Sequence, residues 1–276
     1  MMDHTILSGA QHEEHLPESS YTEEDIIWED HFDGDGLNTE YWNYEPHEPG
    51  WVNAEWQSYP DQKENETSQN IYVKDSKLFI QAKKTVHADG TCSYTSGRVN
   101  TQNKVVTMYG RMEARIKMPS GKGFLPAFWM MPNDEDHYGQ WPKCGEIDIT
   151  EVLGDKTDTA HSTLHFGEPH EQRQGSLVLE NGDFSKEFHE YACEWEPGEI
   201  RFYVDGTCFY TEHDWFSKWP GEEKKPYPAP FDQPFYVILN LAVGGNWVGY
   251  PDETTEFGEN AQMVVDYVRV YQKKIG

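Results

Sequence analysis

Gly145-Glu-Ile-Asp-Ile-Thr-Glu151 constrains this chain more than any other stretch, because it asks one β-strand to carry three carboxylates and two isoleucines. Side chains alternate faces along a strand, so Glu146 and Asp148 share one face while Ile147 and Ile149 take the other. Strict alternation sends Glu151 to the isoleucine face, into a core where an unpaired carboxylate is costly. One extra residue near Ile149-Thr150, a β-bulge, returns Glu151 to the face of the other two acids. The spacing therefore predicts a bulged strand that presents Glu146, Asp148 and Glu151 to one open surface.

The surrounding text is also β-like. In Tyr109–Met118, Met112, Ala114, Ile116 and Met118 alternate with Arg111, Glu113, Arg115 and Lys117, which predicts one buried and one wet face. Further strands are expected at 77–83, 124–131, 146–152, 159–166, 187–195, 199–204, 235–242 and 263–271, separated by turn signals such as Pro119-Ser-Gly121 and Asp205-Gly206. No long amphipathic helix and no internal repeat is visible. Many short strands on one chain predict two packed antiparallel sheets, a sandwich or jelly roll. Residues 1–25 are polar, acidic and without periodicity, and are expected to be a disordered tail; residues 26–276 are expected to form a single domain.

Charge narrows the partners. The formal net charge is -27, and no Lys or Arg precedes Lys63. Such a surface repels nucleic acid, anionic lipid and sulfated polymers and favours a neutral partner. Ten Trp and sixteen Tyr supply flat apolar faces suited to stacking on sugar rings. Cys92, Cys144, Cys193 and Cys208 show no CxxC spacing, so neither a zinc site nor a redox motif is expected. Cys193 and Cys208 fall in a hairpin region and could pair, with buried free thiols the favoured reading. Met1–Ala10 offers neither the basic start nor the apolar run of a secretory signal, and no stretch reaches the length of a membrane-spanning helix.

Two carboxyl groups flanking a glycosidic bond are the equipment for its hydrolysis. In the retaining route one is the nucleophile, and the other protonates the leaving oxygen and then activates water, the pair standing about 5–5.5 Å apart. Glu146 and Glu151 across a bulge are read as nucleophile and acid/base. Asp148 between them would share a proton with Glu146 and tune both titrations.

Gly145–Glu151 resembles the E-x-D-x-x-E signature of glycoside hydrolase family 16 in its laminarinase-like, bulged form. Similar segments follow in family order: Trp51-Val-Asn-Ala-Glu-Trp-Gln-Ser-Tyr59, Tyr94–Arg98 with Tyr109–Lys117, Leu125-Pro-Ala-Phe-Trp129, Thr163-Leu-His-Phe-Gly167, Ile238–Trp247 and Val265–Tyr271. Together they span about Ile26 to Gln272.

The resemblance implies a β-jelly-roll catalytic domain whose concave sheet forms a cleft for a polysaccharide chain, and retaining endo-hydrolysis of β-1,3-glucan, with mixed β-1,3-1,4-glucan also possible. It implies that His165 joins the acid cluster, that Trp129, Trp141 and Trp247 stack on sugar rings, and that Asn53 and Arg98 hydrogen-bond sugar hydroxyls. Many relatives have Trp where this chain has Leu125, so one stacking surface is expected to be missing. A structural calcium is implied at Asp266, with no cofactor required for catalysis. The partner implied is a neutral polysaccharide, with no nucleic acid or membrane, bound by a monomer. A polymeric substrate argues for secretion. The alternatives left open are a non-catalytic glucan-binding protein, action on another polysaccharide, and transglycosylation.

Overall fold

In the computed structural model, residues 4–5, 18–62, 66 and 69–274 are described. The principal strands, in chain order, are β1 (Arg98–Asn100), β2 (Gly110–Lys117), β3 (Phe124–Pro132), β4 (Glu146–Val152), β5 (Thr159–Phe166), β6 (Glu171–Leu179), β7 (His189–Glu196), β8 (Glu199–Val204), β9 (Thr207–Glu212), β10 (Phe235–Val243) and β11 (Gln262–Tyr271). One antiparallel sheet has the order β6-β5-β4-β3-β10-β1, extended by His4–Thr5 on β6 and Asn43–Tyr44 on β1. The other has the order β9-β8-β7-β2-β11, extended by Leu78–Gln81 and Ile71–Val73, with Ile26–Asp30 also paired to β11. Strands far apart in sequence pair, β2 with β11 and β3 with β10, as a jelly roll requires. A small third sheet joins Gln57–Ser58, Cys92–Thr95 and Lys83–Val86.

The core lies between the two large sheets. Ile147, Phe128, Leu164 and Leu239 project from one, and Met112, Ala114, Ile116 and Val268 from the other, all fully buried in a single cluster. Each large apolar side chain so buried stabilises the fold by about 1.5–3 kcal/mol before ordering costs. The predicted two-sheet sandwich is thus what these strands build, and no α-helix occurs among the described residues.

The expected wet face of β2 needs correction. Arg111 and Glu113 are only 4% and 3% exposed. β2 is flanked by β7 and β11, and their side chains roof it. Arg111 reaches Glu113 at 2.9 Å, Glu190 at 3.1 Å and Glu194 at 3.2 Å, while Tyr271 Oη donates to Glu113 at 2.9 Å. Both buried charges on this face are paired, which is what makes their burial tolerable. At the start of β2 only glycine fits: Gly110 has φ +118°, and a Cβ there would lie 2.1 Å from the Tyr271 carbonyl oxygen.

Of the stretch expected to be a tail, only 4–5 and 18–25 fall within the described residues. There, Asp25 accepts from Lys273 Nζ at 2.6 Å, and its carbonyl accepts from the Gln272 amide at 2.9 Å, docking this segment beside the end of β11. All four cysteines are free. Cys193 points into the core from β7, whereas Cys208 on β9 packs with Ala192 and Tyr203 on the other face, so β8 and a change of face separate them.

Candidate active site

The predicted bulge is present on β4. Against β3, Asp148 faces Trp129 and Thr150 faces Phe128, so Ile149 has no partner of its own. Against β5 the register shifts between Asp148 and Glu151. Ser162 Oγ fills the gap by donating to the Ile149 carbonyl at 2.6 Å. Ile147 and Ile149 consequently stay in the core, and Glu146 and Glu151 line a cleft of about 740 Å³ on the opposite face.

Within this cleft Glu146, Asp148 and His165 each bring an atom within 4.8 Å of the others. His165 Nε2 stands 3.2 Å from Asp148 Oδ2 as an ion pair, the ring N–H not being aimed at that oxygen, so Oδ2 keeps an open acceptor position in a buried site. Trp141 Nε1 donates to Glu146 Oε2 at 2.7 Å. Burial pushes the Glu146 carboxyl well up, reinforced by Asp148, with His165 and the Trp141 hydrogen bond opposing. Glu151 is likewise raised, by burial and then by Asp148 and Glu146. Burial alone would lower His165, but Asp148, Glu146 and Glu151 override it and hold the imidazole up at about 9. A carboxylate cluster spanned by an imidazolium shares protons among its members.

The cleft walls hold the other expected residues. Trp141 and Trp247 are 44% and 46% exposed. Trp247 meets His161 edge to face at 5.2 Å. Trp129 is half-buried and tethered through Nε1 to Asn240 Oδ1 at 2.7 Å. Asn53 is exposed at the cleft rim, its side chain donating to Glu55 at 3.3 Å. Arg98 is more enclosed than a sugar-binding arginine need be: it pairs with Glu45 at 2.9 Å and lies between the rings of Trp51 and Trp129, 5.1 and 4.7 Å from their centroids. Leu125 lines the same cleft.

Asp266 lies outside the cleft, on β11, and its surroundings do not fit calcium. One carboxylate oxygen contacts Arg115 Nη1 at 2.5 Å and the other stands 3.6 Å from Lys77 Nζ. A divalent cation would have to enter beside a guanidinium and an ammonium that already neutralise the group. The Asp266 side chain is held by these two basic groups.

Among the cleft residues that escaped the sequence reading are His170, Gln172 and Gln174. Gln172 and Gln174 alternate along the first half of β6, which is polar on both faces, so hydrophobic periodicity does not reveal them. Its available signal is the period-two spacing of the glutamines followed by Gly175, where a Cβ would lie 2.2 Å from Tyr210.

The sequence profile of "Glycosyl hydrolases family 16" matches residues 53–269. The chain is 40% identical over 269 residues to "Glucan endo-1,3-beta-glucosidase A1" of Niallia circulans, covering 90% of this chain and 38% of that protein. It is 39% identical to "Beta-glucanase" of Rhodothermus marinus, covering 90% of this chain and 85% of that protein. Among solved structures, an endo-β-1,3-glucanase from Pyrococcus furiosus superposes with a TM-score of 0.73 at 39% identity, covering 91% of this chain and 95% of that one. The chain belongs to glycosyl hydrolase family 16.

Proposed function

We propose that this chain cleaves β-1,3-glucan internally by a retaining double displacement, with Glu146 as nucleophile and Glu151 as acid/base. The observation that carries this reading is the bulge, which brings two glutamates onto the cleft face with Asp148 and an imidazolium beside them. Glu146 attacks the anomeric carbon as Glu151 gives its proton to the glycosidic oxygen, so the leaving chain departs neutral and a glycosyl-enzyme ester remains. Glu151, now a carboxylate, takes a proton from water as that water attacks the same carbon, releasing a sugar of retained configuration and restoring both groups. The raised Glu151 carboxyl is suited to begin as the acid. Asp148 and His165 let charge on Glu146 grow without leaving the buried cluster unbalanced. Carboxyl groups supply both nucleophile and proton, so the chemistry needs no cofactor.

Trp141, Trp129 and Trp247 serve as sugar-stacking walls, Asn53 and the glutamines as hydrogen-bonding partners, and Arg98 as the support beneath Trp51 and Trp129. The substrate is neutral: Glu45, Glu55 and Glu135 line the same cleft, whose guanidinium is already paired, and the whole chain carries -27. The names of the similar glucanases support the β-1,3 linkage. A polymer of this kind lies outside the cell, where the protein acts as a monomer, away from nucleic acid and membrane. No helix among the described residues is long and apolar enough to cross a membrane.

Reducing-sugar release from laminarin, lichenan, agarose and carrageenan tests the reading. Laminarin is expected to be cleaved fastest and carrageenan not at all, and Glu146→Gln is expected to abolish the activity. Cleavage of carrageenan in preference to laminarin would overturn the substrate class.

A further inference from the structure

His170 follows β5 in a loop that no part of the mechanism uses, yet it touches both arms of the acid cluster. Its Nε2 lies 2.8 Å from Nδ1 of His165. Its ring also packs on Trp141, with centroids 4.9 Å apart. Trp141 in turn donates to Glu146, and His165 pairs with Asp148. We infer that His170 is a positioning residue that closes this circuit, Glu146–Trp141–His170–His165–Asp148, and holds His165 against Asp148 in its doubly protonated form. The inference rests on the assignment of Glu146 and Asp148 to the catalytic cluster.

Hydrogen-bond accounting supports the role. A charged imidazole carries N–H on both nitrogens and needs an acceptor for each. Asp148 faces Nε2. The lone pair on His170 Nε2 meets Nδ1, which requires His170 to be neutral with its own proton on Nδ1. Its surroundings favour that state: burial and the neighbouring His165 lower its titration, with Glu168 alone opposing. The groups facing His165 are the carboxyl groups of Asp148, Glu146 and Glu151 and the neutral acceptor His170. The loop itself is held in place, since Gly167 at φ +72° packs so closely on Phe216 that a Cβ would lie 2.5 Å from its ring. A hydrogen bond to the charged form of a group favours that form, so losing His170 should make His165 easier to deprotonate.

The test compares wild type with His170→Phe, which keeps a flat ring against Trp141 but no acceptor, and His170→Gln, whose amide oxygen can accept from His165. Circular dichroism checks the fold of each, and NMR of ring-labelled histidine follows the titration of His165 directly. In His170→Phe the midpoint of His165 is expected to fall by about one unit. The alkaline limb of kcat/KM on laminarin should move down with it, and kcat/KM should drop about tenfold. In His170→Gln both should return most of the way to wild type. An unmoved His165 midpoint in His170→Phe would overturn the inference, and so would equal losses in both variants. Full activity of Glu146→Gln would instead remove the catalytic assignment, and the His165 titration would still report on the circuit independently.

Discussion

Trp141→Phe isolates one hydrogen bond to the proposed nucleophile. The substitution keeps an aromatic ring at the cleft wall and removes the indole N–H that donates to Glu146 Oε2 at 2.7 Å. That donor lowers the Glu146 titration against the upward push of burial and Asp148. Its loss favours the protonated, non-nucleophilic form. A hydrogen bond to a charged group contributes about 1.5–3 kcal/mol, and the 44% exposure of Trp141 lets water replace part of it. A net loss of about 1–2 kcal/mol in transition-state stabilisation follows, or roughly 5–30-fold in kcat/KM. The sign of the pH effect is fixed: the acid limb of the kcat/KM profile moves to higher pH, because more of the enzyme holds the proton on Glu146 at any given pH. Initial rates of reducing-sugar release from laminarin across the acid and neutral range measure both quantities. A variant with raised KM but an unmoved acid limb and unchanged kcat would refute the reasoning, leaving Trp141 as a stacking surface alone.

Glu151→Gln should lower activity on laminarin by about 10²–10⁴-fold, the usual contribution of a positioned general acid. The same variant should be more stable than wild type above about pH 4.5, the ordinary carboxyl value. Folded Glu151 is raised, so between its unfolded and folded titrations the native state binds more protons than the unfolded state, and stability falls as pH rises. Glutamine removes that slope, so differential scanning calorimetry should show a Tm gap that widens with pH. EDTA should leave Tm unchanged, because Arg115 and Lys77 already neutralise Asp266; a Tm lowered by chelator and restored by calcium would contradict this. Gly110→Ala should destabilise by more than about 1 kcal/mol in urea unfolding, since φ +118° and the Tyr271 carbonyl leave no room for a methyl group.

The acid strand was legible because its residues allow one solution: with isoleucines inward, Glu151 reaches the cleft only through an extra residue. Strands with clean alternation or continuous apolar runs were legible for the same reason, and 146–152, 159–166 and 199–204 match β4, β5 and β8 at both ends. β6 was not, because its first half is polar on both faces: Arg173 pairs with Glu171 and Asp214, Gln172 and Gln174 face the cleft, and only Leu177 and Leu179 near its end join the core. Burial of Arg111 and Glu113 depends on which strands flank β2, a matter of topology. The surroundings of Asp266 depend on Lys77, which is remote in sequence. Arg98 shows the same limit: the resemblance implied a cleft position, and its packing between Trp51 and Trp129 is visible only once three segments meet.

The central claim is that Glu146 forms a covalent bond to the sugar. Incubation with a 2-deoxy-2-fluoro-β-laminaribioside bearing a good leaving group at its anomeric carbon lets the glycosyl-enzyme form while slowing its breakdown, and peptide mapping by mass spectrometry then locates the label. The account predicts one sugar per chain, on the peptide carrying Gly145–Glu151, at Glu146, with no label in Glu146→Gln. A label at Glu151, or turnover that inverts the anomeric centre with no covalent species, would contradict it.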